Sequence, residues 1–197
     1  MEIAFEEAVS LEEFSKKPGT FEEYLQLREE RAEYMEFSDG AIFMAPSPST
    51  MHQRISGRLY VQFFNYMKSR DCEVFHAPFD VELQGERLEG THIVIPDLLV
   101  ICDKEGLKET KYVGAPELII EILSPSNQAH DLVFKMNLYM QAGVKEYWIV
   151  NPMLHTIQAY QLDQDGQYRQ NQVLKDRGTI KSAIFEGVNV DLEALFA

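Results

Sequence analysis

Two acidic residues stand where a buried strand would normally exclude charge. Asp97 follows Pro96 and opens the apolar run Leu98-Leu99-Val100-Ile101, while Glu121 lies inside Leu118-Ile119-Ile120-Glu121-Ile122-Leu123. Short apolar runs bounded by turn signals read as buried strands, which would carry both carboxylates to a sheet edge. A carboxylate in such a place is costly unless it is paired or binds a metal. A divalent-metal site is the sharpest account of the two together. Asp97 alone could be a strand-start residue capping a turn, whereas Glu121 has no comparably simple structural role. A Ser124-Pro125-Ser126 turn follows, and then a helical pattern that holds Asp131 and Lys135.

The elements that must position these residues can be read from periodicity and turn chemistry. Ser10-Leu11-Glu12-Glu13 and Thr20-Phe21-Glu22-Glu23 match the capping box, predicting helices at about 11–17 and 21–31 with Pro18-Gly19 between them. Asp39-Gly40 between Tyr34–Ser38 and Ala41–Ala45 predicts a hairpin, because both central turn residues need positive φ. Met51, Ile55, Leu59, Phe63 and Met67 recur every four residues and predict an amphipathic helix over about 50–69. Strands are expected near 73–76, 79–84, 97–102 and 116–123. A helix over about 129–142 ends at Gly143, a C′ glycine, and a buried strand then runs from Glu146 to Val150. Further strands near 155–162 and 167–174 turn through Asp163-Gln164-Asp165-Gly166, and a short closing helix follows Asp191. From the helix at 50 onward the order is α-β-β-β-α-β, a mixed α/β core.

The chain has 197 residues, 45% hydrophobic and 25% charged, which fits one globular domain rather than disorder. That domain divides into an N-terminal segment over 1–33, a core over 34–152 and a C-terminal extension over 153–197. No apolar run approaches membrane-spanning length, and the acidic N-terminus carries no signal-peptide pattern. Cys72 and Cys102 are far apart in sequence and in no CxxC arrangement, so reduced thiols in a cytoplasmic protein are expected. The net charge of −14 argues against a nucleic-acid partner, but it is unevenly spread. Residues 1–39 hold twelve acidic and four basic side chains, leaving only −6 for the rest. Between Gly40 and Arg70 there is no acidic residue, while Arg54, Arg58, Lys68 and Arg70 contribute +4.

With Pro96-Asp97 followed 24 residues later by Glu121 in this element order, the chain resembles the PD-(D/E)XK nuclease superfamily. Within it, the chain is similar to the Uma-two-type restriction-endonuclease family. The matching stretches are Tyr34 to Gly40, Met44 to Pro48 with His52, Val94 to Asp103, Gly114 to Ser126, Asp131 with Lys135 and Tyr139, and Gly143 to Pro152. The resemblance implies a restriction-endonuclease-like α/β fold. It also implies a phosphodiesterase dependent on Mg²⁺ or Mn²⁺ and acting on nucleic acid, DNA in the first instance, as a homodimer. Asp97 and Glu121 would be the metal ligands, with the Ile122 carbonyl as a third. Oxygen donors of this kind suit Mg²⁺.

One departure is plain. The superfamily places a lysine two residues after the glutamate, on the same strand face, and this chain has Leu123 there. Lys135 on the following helix is the natural substitute, reaching back as the charge-stabilising base. Glu36, between Met35 and Phe37, matches a family glutamate that would support the metal or its water. His52, Arg54 and Arg58 are candidates for phosphate contacts, although a solvated helix face explains the arginines equally well. Asp80 is a weaker candidate. The five histidines show no zinc spacing, and no Walker A or GxGxxG motif is present. A module that keeps the fold but has lost cleavage remains the alternative, supported by Leu123 and the acidic balance. Residues 1–39 could also act as an acidic partner-binding arm.

Overall fold

The computed structural model describes residues 16–31, 34–44, 47–124 and 130–197. Along the chain come β1 (Lys16–Pro18), α1 (Phe21–Glu30), β2 (Met35–Ser38), β3 (Ala41–Met44) and α2 (Thr50–Met67). Six strands follow: β4 (Glu73–His76), β5 (Asp80–Glu82), β6 (His92–Val94), β7 (Leu98–Ile101), β8 (Lys111–Val113) and β9 (Leu118–Ile122). A π-helical turn, His130–Lys135, runs into α3 (Met136–Ala142) and then β10 (Glu146–Asn151). The C-terminal part holds β11 (Thr156–Leu162), β12 (Tyr168–Lys175), β13 (Thr179–Lys181), β14 (Asn189–Asp191) and α4 (Leu192–Phe196).

A six-stranded sheet in the order β12-β11-β10-β9-β7-β4 is the centre. Strand β7 is antiparallel to β4 and β9, and β10 lies parallel to β9 across the α3 crossover. Within this sheet the expected α-β-β-β-α-β order holds, as α2, β4, β7, β9, α3 and β10. Both faces are covered, so the strands read as continuous apolar runs rather than alternating ones. Leu98, Val100, Leu118, Ile120, Ile122, Trp148 and Val150 pack on the face shared with the Ile55-Leu59-Phe63-Met67 stripe of α2. Leu99, Ile101, Ile119, Leu123, Tyr147 and Ile149 pack on the other, against Leu138, Tyr139 and Ala142 of α3. Glu121 shares parity with Ile119 and Leu123, so its carboxylate is delivered toward α3. That single fact of register decides which partners it can meet.

A second six-stranded sheet, β1-β3-β2-β6-β5-β8, contributes Val81, Leu83, Val94 and Tyr112 to the α3-side core. Its outer hairpin packs under α1 through Tyr24, Met35, Phe37 and Ile42. The Asp39-Gly40 turn has φ of 35° and 84°, as the hairpin reading required. Thr20 and Glu23 close the expected capping box at the start of α1.

Three expectations need correction. The helix placed at about 11–17 falls largely outside the described residues, and Lys16–Pro18 pair with β3 as a strand instead. The strands β6, β8, β13 and β14 were not expected; each is three residues long and too short to carry a period. Cys72 and Cys102 are joined in a disulfide rather than held as separate thiols. The reason is register: Glu73 pairs with Ile101, so the next positions outward meet across β4 and β7 despite a sequence separation of 30. Sequence distance between the two cysteines concealed a cross-strand contact.

Candidate active site

The carboxylates and the lysine converge between the two sheets. Leu98 pairs with Ile120, and Asp97 and Glu121 stand one step beyond that pair, where β7 begins. Asp97 Oδ2 accepts the backbone N–H of Ile122 at 2.7 Å, so the side chain caps β9 just past its last pair with β7. Its Oδ1 lies 3.1 Å from His52 Nε2, at the N-terminal turn of α2. Ser49 caps that helix by accepting the His52 backbone N–H at 3.2 Å, which fixes where the imidazole starts.

Glu121 is 2% exposed and accepts two hydrogen bonds on one oxygen. Lys135 Nζ donates to its Oε1 at 3.0 Å, and the Tyr139 hydroxyl donates to the same atom at 2.6 Å. Lys135 and Tyr139 are four residues apart, the spacing that stacks two side chains on one helix face. Lys135 sits where the π-helical turn passes into α3; such turns re-aim side chains that a regular helix would point elsewhere. Burial is the main reason the Tyr139 phenol is pushed well above its ordinary value, and the Glu121 charge adds to it. The hydroxyl therefore keeps its proton and remains a donor.

Glu36 completes the group from the second sheet. It is buried in β2, and its Oε1 accepts Lys135 Nζ at 2.9 Å and the Ile95 backbone N–H at 2.8 Å. One ammonium thus bridges a glutamate from each sheet. Leu123, buried beside them, occupies the strand position of the usual lysine, and Lys135 brings its amine to Glu121 from the helix instead.

The remaining candidates are placed as follows. His52 faces Asp97 and is buried, which orients the carboxylate rather than presenting the ring to solvent. Arg54 is exposed on α2. Arg58 is half-buried and donates to the Leu195 carbonyl at 2.7 Å, tying α2 to α4. Asp80 forms a two-pronged pair with Arg28, at 3.2 and 3.0 Å, that holds α1 against β5. The side chain of Asp131 lies outside the described residues. Tyr139 is among the residues that carry the family resemblance, but the sequence assigns its hydroxyl no role; the four-residue spacing from Lys135 is the available signal.

The donor set is all oxygen. Among the described residues no group of three or more His, Cys, Asp or Glu side chains is arranged to hold a metal ion. Mg²⁺ does not need one: it is usually bound by one or two carboxylates, with waters and substrate phosphate completing the shell. Asp97 and Glu121 fit that chemistry, and their hard oxygens without a thiolate or paired imidazoles do not fit a closed zinc site.

Comparison with known proteins assigns the chain to a family. The family model Uma2, described as "Putative restriction endonuclease", matches residues 21–193. The chain belongs to this family. It is 32% identical over 163 residues to the uncharacterized protein slr1290 of Synechocystis sp., covering 82% of this chain and 84% of the relative. A second Synechocystis protein, sll1609, is 24% identical over 168 residues, covering 82% and 91% respectively. The crystal structure of a putative nuclease belonging to DUF820 from Anabaena variabilis superposes with a TM-score of 0.72 at 20% identity. It covers 91% of this chain and 98% of that one, and shares the fold. Among the described residues, no helix is long and apolar enough to cross a membrane.

Proposed function

We propose that this chain is a metal-dependent nuclease that hydrolyses phosphodiester bonds, with DNA the first substrate to try. The observation that carries the reading is the Lys135 amine 3.0 Å from Glu121, restoring from a helix the cation that Leu123 removes from the strand. Family membership over residues 21–193 supports the same chemistry. Asp97 and Glu121 would hold Mg²⁺ or Mn²⁺, which when bound lowers the pKa of a water and neutralises charge on the phosphate. His52 and the Ile122 N–H fix the Asp97 carboxylate. Glu36 and Tyr139 hold Lys135 and Glu121 in register, so that the ammonium faces charge developing on the phosphoryl oxygens. A homodimer would set two such sites about a twofold axis. A cytoplasmic location suits such a substrate, and the Cys72–Cys102 bond would there be open to reduction.

The test is cleavage of circular duplex DNA, single-stranded DNA and RNA with Mg²⁺, Mn²⁺ or chelator. Asp97→Ala and Lys135→Ala are compared with wild type, and circular dichroism checks that each is folded. Metal-dependent cleavage lost in both folded variants is the expected result. Loss with Asp97→Ala alone keeps the enzyme and removes Lys135 from its role. A folded protein that cleaves nothing under any metal sinks the reading. The competing reading is a binding module that has kept the fold. It draws on one feature: Lys135 is held by two carboxylates, an arrangement that also serves purely to join the sheets.

A further inference from the structure

A cleft of about 880 Å³ opens between the β2–β3 hairpin and the α3 segment, lined by neighbours of Glu36 and Lys135 rather than by the carboxylates or the lysine themselves. Its position follows from register. Phe43 is the cross-strand partner of Glu36, and Phe134 directly precedes Lys135; both line the cleft, with ring centroids 5.5 Å apart. Asn137 and Gln141 line the same wall one helical turn apart. Six residues of helix separate Lys135 from Gln141, roughly 9 Å along the axis. That is the scale of the reach from a phosphate to a neighbouring base.

The charge of the cleft is wrong for a phosphate backbone. Asp39 and Glu89 line it, and the Arg87 guanidinium at its rim donates to the Asp165 carbonyl at 2.6 Å. Elsewhere Arg58 is committed to Leu195, and the whole chain carries −14. Duplex affinity rests largely on neutralised phosphates, and this surface offers few cations for it. A neutral planar base is a better match. Aromatic faces stack bases whatever their identity, and side-chain amides pair with their edges. A base reaches such a cleft only when it is out of the duplex stack.

We propose that the strand is unpaired where it is cut, and that the base beside the scissile phosphate enters this cleft against Phe43 and Phe134, its edge toward Asn137 and Gln141. This rests on the nuclease reading for the position of the phosphate, and it specifies the substrate class. Fluorescence anisotropy in chelator, where no cleavage occurs, tests it on the wild-type chain. The probes are a single-stranded oligodeoxynucleotide, the same strand with a run of abasic sites, and the matching duplex. The intact strand binds tightest, with the abasic strand and the duplex each about tenfold weaker. Phe134→Ala weakens the intact strand by roughly the same factor and removes its advantage over the abasic one. If that variant does not fold, Asn137→Ala and Gln141→Ala take its place, and each shifts the preference among oligo-dA, oligo-dC and oligo-dT. Equal binding of intact and abasic strands, tighter binding of the duplex, or no binding overturns the proposal. Cleavage is scored separately with Mg²⁺. The expected binding pattern without cleavage removes the nuclease reading and keeps the cleft. Duplex cleavage with no base-dependent binding does the reverse.

Discussion

At the scale of single residues, Lys135 carries the greatest electrostatic stake. Its ammonium compensates two buried carboxylates, Glu36 and Glu121, that have been taken out of water. Removing one member of a buried ionic group leaves uncompensated charge, which costs about 3–5 kcal/mol. Lys135→Met is therefore expected to lower stability by that order, read as a shifted denaturant midpoint at unchanged slope. Adding Glu36→Gln and Glu121→Gln should return part of the loss. A Lys135→Met chain as stable as wild type would mean the ammonium stands apart from both glutamates. The consequence for function is practical: activity lost in this variant counts only beside a folded-state measurement. A buried acid is a sharp signal but an ambiguous one. Glu146 is also a buried acid, at the start of a buried strand, yet it accepts Trp148 Nε1–H at 2.7 Å, Ser182 Oγ–H at 2.6 Å and the Ala183 N–H at 3.0 Å. It fastens the C-terminal extension to the central sheet and has no lysine near it in those contacts. Only the company a carboxylate keeps separated the two cases.

At the scale of elements, α3 is the part whose placement matters most, because Lys135 and Tyr139 ride on its first turns. Its far end is fixed by Gly85. A Cβ there would lie 2.4 Å from the Ala142 carbonyl oxygen and 2.7 Å from its Cα, and backbone cannot swing aside as a side-chain tip can. Gly85→Ala should cost about 1–3 kcal/mol through overpacking and lower cleavage by displacing the Lys135 amine. Unchanged stability and unchanged activity would show that the helix end yields freely. Long periodic elements were legible from sequence: the four-residue stripe of α2, the Asp39-Gly40 hairpin and the runs of β7, β9 and β10 all fall where they were expected. Several strands of the second sheet were not. Strands such as His92–Val94 and Lys111–Val113 offer three residues each, and they are strands because of what lies beside them rather than what they contain. Burial of charge marks Asp97 and Glu121 in the sequence, whereas Glu36 and Lys135 could be named there only through the family resemblance. The Tyr139 hydroxyl and the His52–Asp97 contact could not, since both depend on how α2 and α3 are set against the sheet.

At the scale of the whole molecule, the Cys72–Cys102 bond ties the edge strand β4 to β7 across 30 residues of chain. Closing a loop of that length in the unfolded state is worth about 2–4 kcal/mol. Reduction should therefore lower the melting temperature measurably while leaving the far-ultraviolet spectrum native at room temperature. An unchanged melting temperature under reductant would show that this bond contributes nothing to the fold. The same strand carries Asp97 at its other end, so the reduced protein also tests whether β7 needs that tether to keep the carboxylate in place.

The order in which the chain is made has a consequence for the bridging ammonium. Glu36 and Lys135 are 99 residues apart in sequence. A growing chain therefore emerges with Glu36, Asp97 and Glu121 already synthesised and no Lys135 to set against them. Until the last of these four is translated, the two halves of the molecule share like charge at the seam where they must close. The contact that joins the hairpin to the helix can form only after residue 135 has been made, and it brings the glutamates and the amine together. A chain that ends before residue 135 has the acids of the cluster but not the amine that joins them.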